Sequence, residues 1–152
     1  MKRIIFSILC FIWIGFIFFN SSQSGVISHN ISMKFAKEIF QNLVYYFNLD
    51  ISQFDMITRK CAHVFEYMIL ALILRMCFIV LEIKKKNIIF YTLLLVLSIA
   101  CLDETLQLFI QGRTSKIFDV FIDLSGGIIG CIISSIIYRM ISVFFNKDTS
   151  LC

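Results

Sequence analysis

Four long apolar runs, at 4–19, 64–81, 88–110 and 118–145, limit what this chain can fold into. A helix rises about 1.5 Å per residue, so the 18 residues of the second run reach about 27 Å, close to the hydrocarbon thickness of a bilayer. The expected fold is therefore all-α, a four-span transmembrane helical bundle. Composition agrees: 59% of residues are hydrophobic and the mean hydropathy is +0.89, above the range of ordinary soluble domains. At 152 residues the chain is too short for two conventional domains, and 1–152 reads as a single integral membrane domain. It has no proline, no internal repeat and no low-complexity stretch.

Other classes fall away quickly. The six cysteines follow no disulfide pattern, and Cys10, Cys77, Cys101 and Cys131 lie inside apolar runs, where a thiol acts as a small hydrophobe. Without a CxxC pair, a structural zinc is not expected. The net charge of +4 includes no basic tract long enough for nucleic acid. The first run, with Lys2-Arg3 before it and "NSSQSG" after it, has the shape of a signal peptide. The chain beyond it is itself membrane-bound, so a retained signal anchor is the expectation.

Direction follows from the basic residues. "EIKKKN" between the second and third runs is the most basic short loop, and the positive-inside rule places it in the cytoplasm. Lys2-Arg3 and the tail with Arg139 and Lys147 then share that side. Both termini are expected to be cytoplasmic. Between the first two spans, Met33, Ala36, Phe40, Leu43, Val44 and Phe47 recur at helical spacing, with Lys34, Lys37 and Glu38 off that face. This reads as an amphipathic helix on the outer surface. Ser52 and Asp55 fit a capping box that starts the second span two turns above the bilayer. Arg75, near the lower end of that span, is expected to snorkel.

With that topology, the polar residues of all four spans fall at the outer face. Arg59, His63 and Glu66 lie at i, i+4 and i+7, and the pairs Asp103 with Gln107 and Asp119 with Asp123 lie at i and i+4. Gly126 and Gly130 continue the last stripe downward in a spacing that lets another backbone come close. Charged groups in a span normally face the bundle interior or one another, so an outward-opening polar crevice is expected. Three cations (Arg59, Lys60, Arg113) meet five carboxylates (Glu66, Asp103, Glu104, Asp119, Asp123), a net of −2 with His63 neutral. Protons on carboxylates, a protonated His63 or a divalent cation such as Mg²⁺ would offset it.

The stretches "RKCAHVFEYMILALIL" and "DETLQLFIQGRTSKIFDVFIDLSGGIIG", with "SSQS" after the first span, resemble the VanZ-like family of small bacterial membrane proteins. The resemblance covers 21–130. Its characteristic positions fall on Arg59, Lys60, His63, Glu66, Tyr67, Asp103, Glu104, Gln107, Gly112, Arg113, Asp119, Asp123, Gly126 and Gly130. Gln111 stands where the family has proline, which leaves the outer turn less rigid. The founding member is associated with teicoplanin resistance, so the resemblance implies a role in the bacterial cell envelope. It implies no particular reaction.

Three functions remain open on the residues. In the first, the cluster binds or modifies a lipid-linked envelope component. His63 would carry a proton, Glu66 would orient it, and Asp103, Glu104, Asp119 and Asp123 would hold a hard cation or act as a base; Arg59, Lys60, Gln107 and Arg113 would hold the substrate. In the second, the same groups are an interhelical network without chemistry. The third, an ion- or proton-coupled transporter, is weakened by the apolar lower half of the bundle and the lack of an inverted repeat. The bilayer is the expected partner. The residues fix neither an oligomeric state nor a metal.

Overall fold

The computed structural model describes residues 1–47, 51–113 and 116–148, with side chains for all of these except 40–47, 51–53 and 141–148. Five helices follow in order: α1 Lys2–Ser21, α2 Gly25–Phe47, α3 Ile51–Val80, α4 Lys85–Gln107 and α5 Ile117–Asp148. No strand occurs among the described residues. Lys2–Ser21, Phe54–Val80, Lys85–Gln107 and Ile117–Met140 are long and apolar enough to cross a membrane. The chain is a multi-pass membrane protein.

Helix α3 is the hub. Among the described residues it packs against each of the other four, most extensively against α5, while α4 fills the space beside α1 and α5. Ile17, Tyr67, Leu70, Ala71, Val96 and Ala100 form the centre of a continuous core. Phe11, Phe90 and Phe121 point away from it, as lipid-facing side chains must. Glycine sets the α3–α5 spacing. A Cβ on Gly126 would run into the Val64 carbonyl and one on Gly130 into the Met68 carbonyl, so the two backbones touch along this seam.

The ends sort as well. At one end the Arg3 guanidinium meets Glu82 at 2.6 Å, beside the turn into α4 where Glu82 takes a positive φ of 62°. Lys85 Nζ lies over the Tyr138 ring of α5 at this same end. The N-terminus, the basic loop and the lower part of α5 thus lie together, and the carboxylate-bearing ends lie opposite.

Several boundaries differ from expectation. The third span ends at Gln107, short of the expected 110. Leu108, Phe109 and Ile110 instead form turns, donating their amides to Thr105, Leu106 and Gln107 carbonyls. Gly112 then reverses the chain at φ 77°. Apolar composition alone does not reveal such a turn. The second span grows out of a helix that starts at Ile51, further up than the two extra turns expected. The Ser52 side chain lies outside the described residues, and Asp55 is occupied by tertiary partners.

Helix α2 does more than lie on a surface. Ser32 and Ala36 are buried against α3, and Met33 is half-buried. Phe40, Leu43, Val44 and Phe47 have side chains outside the described residues. Buried Asp55 ties the two helices: its carboxylate takes the Ser32 hydroxyl, His29 Nδ1 at 2.9 Å and Arg59 at 3.2 Å. Ile31, Phe35 and Ile39 remain exposed beside that seam. Arg75 also departs from expectation. It turns inward, donating to the Cys131 carbonyl at 2.7 Å and to the Ser134 and Ser135 hydroxyls, because α5 offers acceptors within reach.

Candidate functional site

Helical periodicity brings one turn after another of α3 to the same side, so Arg59, His63 and Glu66 form a ladder down its inner face. The end of α4 supplies Asp103, Glu104 and Gln107, and the start of α5 supplies Asp119 and Asp123. The turn after α4 brings in Arg113. All ten residues singled out in the sequence come to this one end of the bundle.

Their partners divide them into a rim and a floor. At the rim, Lys60 Nζ meets Asp119 Oδ1 at 2.8 Å. Glu104 Oε2 accepts the Lys116 backbone amide at 3.1 Å. Glu66 Oε1 accepts the Asn20 side-chain amide at 2.7 Å, and the Glu66 carbonyl takes the Trp13 indole N–H at 3.0 Å, so this residue bolts α1 to α3. The carboxylate nearest His63 belongs to Asp123, with Nδ1 and Oδ1 3.6 Å apart.

Arg113 works on the backbone. Its guanidinium donates to the Asn20 and Gln23 carbonyls, each at 3.1 Å, at and just past the C-terminal end of α1, where the Asn20 carbonyl also accepts the Gln23 amide at 3.2 Å. The Gly25 amide donates in turn to the Gln111 carbonyl at 3.1 Å. A Cβ on Gly25 would strike Gly112, so the two turns lie in direct contact. Burial and the neighbouring Arg59 guanidinium lower the Arg113 pKa, while Asp103, Glu104 and Glu66 act in the opposite sense.

The floor is buried and acidic. Asp103 is fully buried, Asp123 is 1% exposed and Gln107 is buried beside them. Gln107 Nε2 donates to Asp103 Oδ2 at 3.2 Å and lies 3.4 Å from the Ser21 hydroxyl. His63, Asp103 and Asp123 each present a ligand-type atom, and these atoms lie within 4.8 Å of one another. Above the floor opens a cleft of about 180 Å³ lined by Arg59, Lys60, His63, Arg113 and Asp123 among others. A second cleft of about 200 Å³ shares Arg59, His63 and Arg113 and is also lined by Ile31 and Phe35 of α2.

A family model described as VanZ/LLP1 matches residues 6–138, nearly the whole chain. The chain belongs to the VanZ/LLP1 family. No curated protein and no solved structure matches it. In this VanZ-type chain the groups that resemble the family's characteristic residues are the ones that converge, from three helices and a turn.

Sequence reasoning missed the VanZ-type chain's other polar seam, His29, Ser32 and Asp55 between α2 and α3, and the Trp13–Asn20 hold on Glu66. A faint signal was present in His29 and Ser32, one turn apart on α2. Nothing local pointed to Asp55 as their partner.

Proposed function

We propose that this protein works at the outer face of a bacterial cytoplasmic membrane, both termini cytoplasmic, and holds the phosphate-bearing head group of an envelope lipid in the charged cleft. One observation carries the reading: Arg59, Lys60 and Arg113 line a single cleft, and a second cleft that shares Arg59, His63 and Arg113 with it is lined by the exposed apolar side chains Ile31 and Phe35 of α2. Guanidinium and ammonium groups suit phosphate oxygens, and Ile31 and Phe35 suit an acyl or prenyl chain. His63 is the group fitted to move a proton there. Engagement of a lipid-linked cell-wall intermediate fits the founding member's association with teicoplanin resistance.

The network reading also has its observation, since Lys60–Asp119, Asn20–Glu66 and the Asp55 cluster each bond separate helices. Lys60 separates the two. Its ion pair is about one-third exposed to solvent, and such a pair contributes at most about 1 kcal/mol. Wild-type protein purified in mild detergent is expected to carry a phosphorylated lipid, read by native mass spectrometry. Lys60→Gln should retain roughly tenfold less of it, the loss of one charge-assisted contact, with an unchanged unfolding midpoint. Unaltered lipid content sinks the binding reading, and a collapsed midpoint supports the network.

Orientation has its own check. In a chain stripped of native cysteines, a cysteine at position 30 should react with an impermeant maleimide in intact cells, and one at position 85 only after lysis. The reverse pattern overturns the topology.

A further inference from the structure

At the floor of the cleft, two buried carboxylates have no cation hydrogen-bonded to them. Asp103 bonds the neutral amide of Gln107, and its Oδ1 has no hydrogen-bond partner. Asp123 Oδ2 has none either. His63 Nδ1, also buried and unpartnered, stands 3.6 Å from Asp123 Oδ1, beyond hydrogen-bond length. The nearby basic groups have other partners: Lys60 pairs with Asp119, Arg59 with Asp55, and Arg113 with the α1 carbonyls. An uncompensated carboxylate out of water costs several kcal/mol, so this arrangement calls for positive charge.

A further group points to the same spot. Tyr67, from the turn of α3 below His63, is fully buried with an unpartnered hydroxyl, and it lies within electrostatic reach of Asp103 and Asp123. His63, Asp103 and Asp123, from three helices, thus each hold a buried unpartnered atom and each bring a ligand-type atom to within 4.8 Å of the others.

We infer that His63, Asp103 and Asp123 form a binding site for a divalent first-row metal ion, Zn²⁺ or Mn²⁺, open toward the cleft. Two carboxylates neutralise such an ion, so the bound site carries no net charge. Two ligand atoms about 2.0–2.1 Å from a tetrahedral ion lie about 3.4 Å apart, close to the observed 3.6 Å between His63 and Asp123. Adjustments on the order of 1 Å bring all three ligand atoms, now within 4.8 Å, onto one ion. An imidazole among the ligands favours Zn²⁺ or Mn²⁺ over Mg²⁺. Three protein ligands leave positions free for water or an anion, which the Tyr67 hydroxyl can meet as a hydrogen-bond donor. Of the four acidic residues expected to share a cation, Asp119 and Glu104 are turned instead to Lys60 and to the Lys116 amide. The site needs none of the residues that would hold phosphate and shares only His63 with the lipid reading.

The test uses the full chain in detergent, stripped with chelator, incubated with Zn²⁺ or Mn²⁺ and desalted. Elemental analysis is expected to find about one ion per chain, and metal should raise the unfolding midpoint. Co²⁺ in the same site should give visible d–d absorption. Asp123→Asn and His63→Gln should each weaken binding at least about tenfold and abolish the cobalt bands, while Thr105→Ala, on the outside of α4, should bind as wild type. Wild-type protein with no bound metal, whatever the variants do, overturns the site. So do folded, monodisperse His63→Gln and Asp123→Asn proteins that bind metal as wild type does; if one does not fold, the other decides. Lipid content unchanged by chelation leaves this site and the lipid reading to stand or fall separately.

Discussion

Gly126→Val is expected to lower the stability of the protein by about 3 kcal/mol, the upper end for overpacking a close seam, and Gly130→Val by a similar amount. The added carbons have nowhere to go. At Gly126 the first of them meets the Val64 carbonyl, and at Gly130 the Met68 carbonyl and the Ala71 methyl. Backbone cannot rotate aside as a long side chain can, so α5 must lift from α3 along the most extensive contact in the bundle. Asp119 and Asp123 ride on α5, so the same displacement pulls them from Lys60 and His63. Thermal unfolding in detergent and abundance in the membrane measure the first effect. Gly15→Ala is the matched control: nothing lies within 4 Å of its added carbon, and a helix interior gains roughly 0.5–1 kcal/mol from the exchange. If Gly126→Val is as stable as Gly15→Ala, the backbone seam is not what holds α5 in place.

Arg113→Ala ranks second, with an expected loss of about 2–3 kcal/mol, as befits hydrogen bonds from a charged donor to the carbonyls at a helix C-terminus. One side chain fastens the α4–α5 turn to the α1–α2 turn through the Asn20 and Gln23 carbonyls. A second fastening among the described residues is the Gly25 amide on the Gln111 carbonyl. Arg113→Lys should recover less than half of the loss, since an ammonium on a flexible stem lacks the planar fork that reaches both carbonyls. Hydrogen exchange should locate the damage in 20–25 and 108–113, with the centre of α3 still protected. Equal stability of Arg113→Ala and wild type would show that the two turns are held by something else. Gln111 stands in the same turn, and its carbonyl serves Gly25 as any residue's would; the family's proline would keep that carbonyl too.

How much of this was legible beforehand varies by residue. The spans were read from apolar run length, a property of the segment itself, and their misplaced edges lie where that signal fades: at Ile110, where an apolar stretch turns, and at Ile51, where polar residues continue a helix. The α3 ladder of Arg59, His63 and Glu66 was equally readable, because spacing along one helix fixes which residues share a face. Pairing was not. Glu66, seven positions along from Arg59 and three from His63, was expected to orient the imidazole, yet its carboxylate points to Asn20 of α1 while Asp123 of α5 comes nearest to His63. Arg75 had an adequate local explanation in snorkelling, and the serines of α5 gave it a better one.

The sequence by itself determined that this chain crosses a membrane four times, gathers the carboxylates of its spans at one end and has the motifs of the VanZ/LLP1 family, because hydropathy and helical periodicity act within a segment. Only the tertiary structure decided which carboxylates are left without a cation. That choice depends on the rotation and depth of α4 and α5 against α3, which Gly126, Gly127 and Gly130 set by contact with the Val64 carbonyl, the Val96 side chain and the Met68 carbonyl. Contacts between residues sixty positions apart follow from how close two backbones can come, and no local pattern encodes that distance.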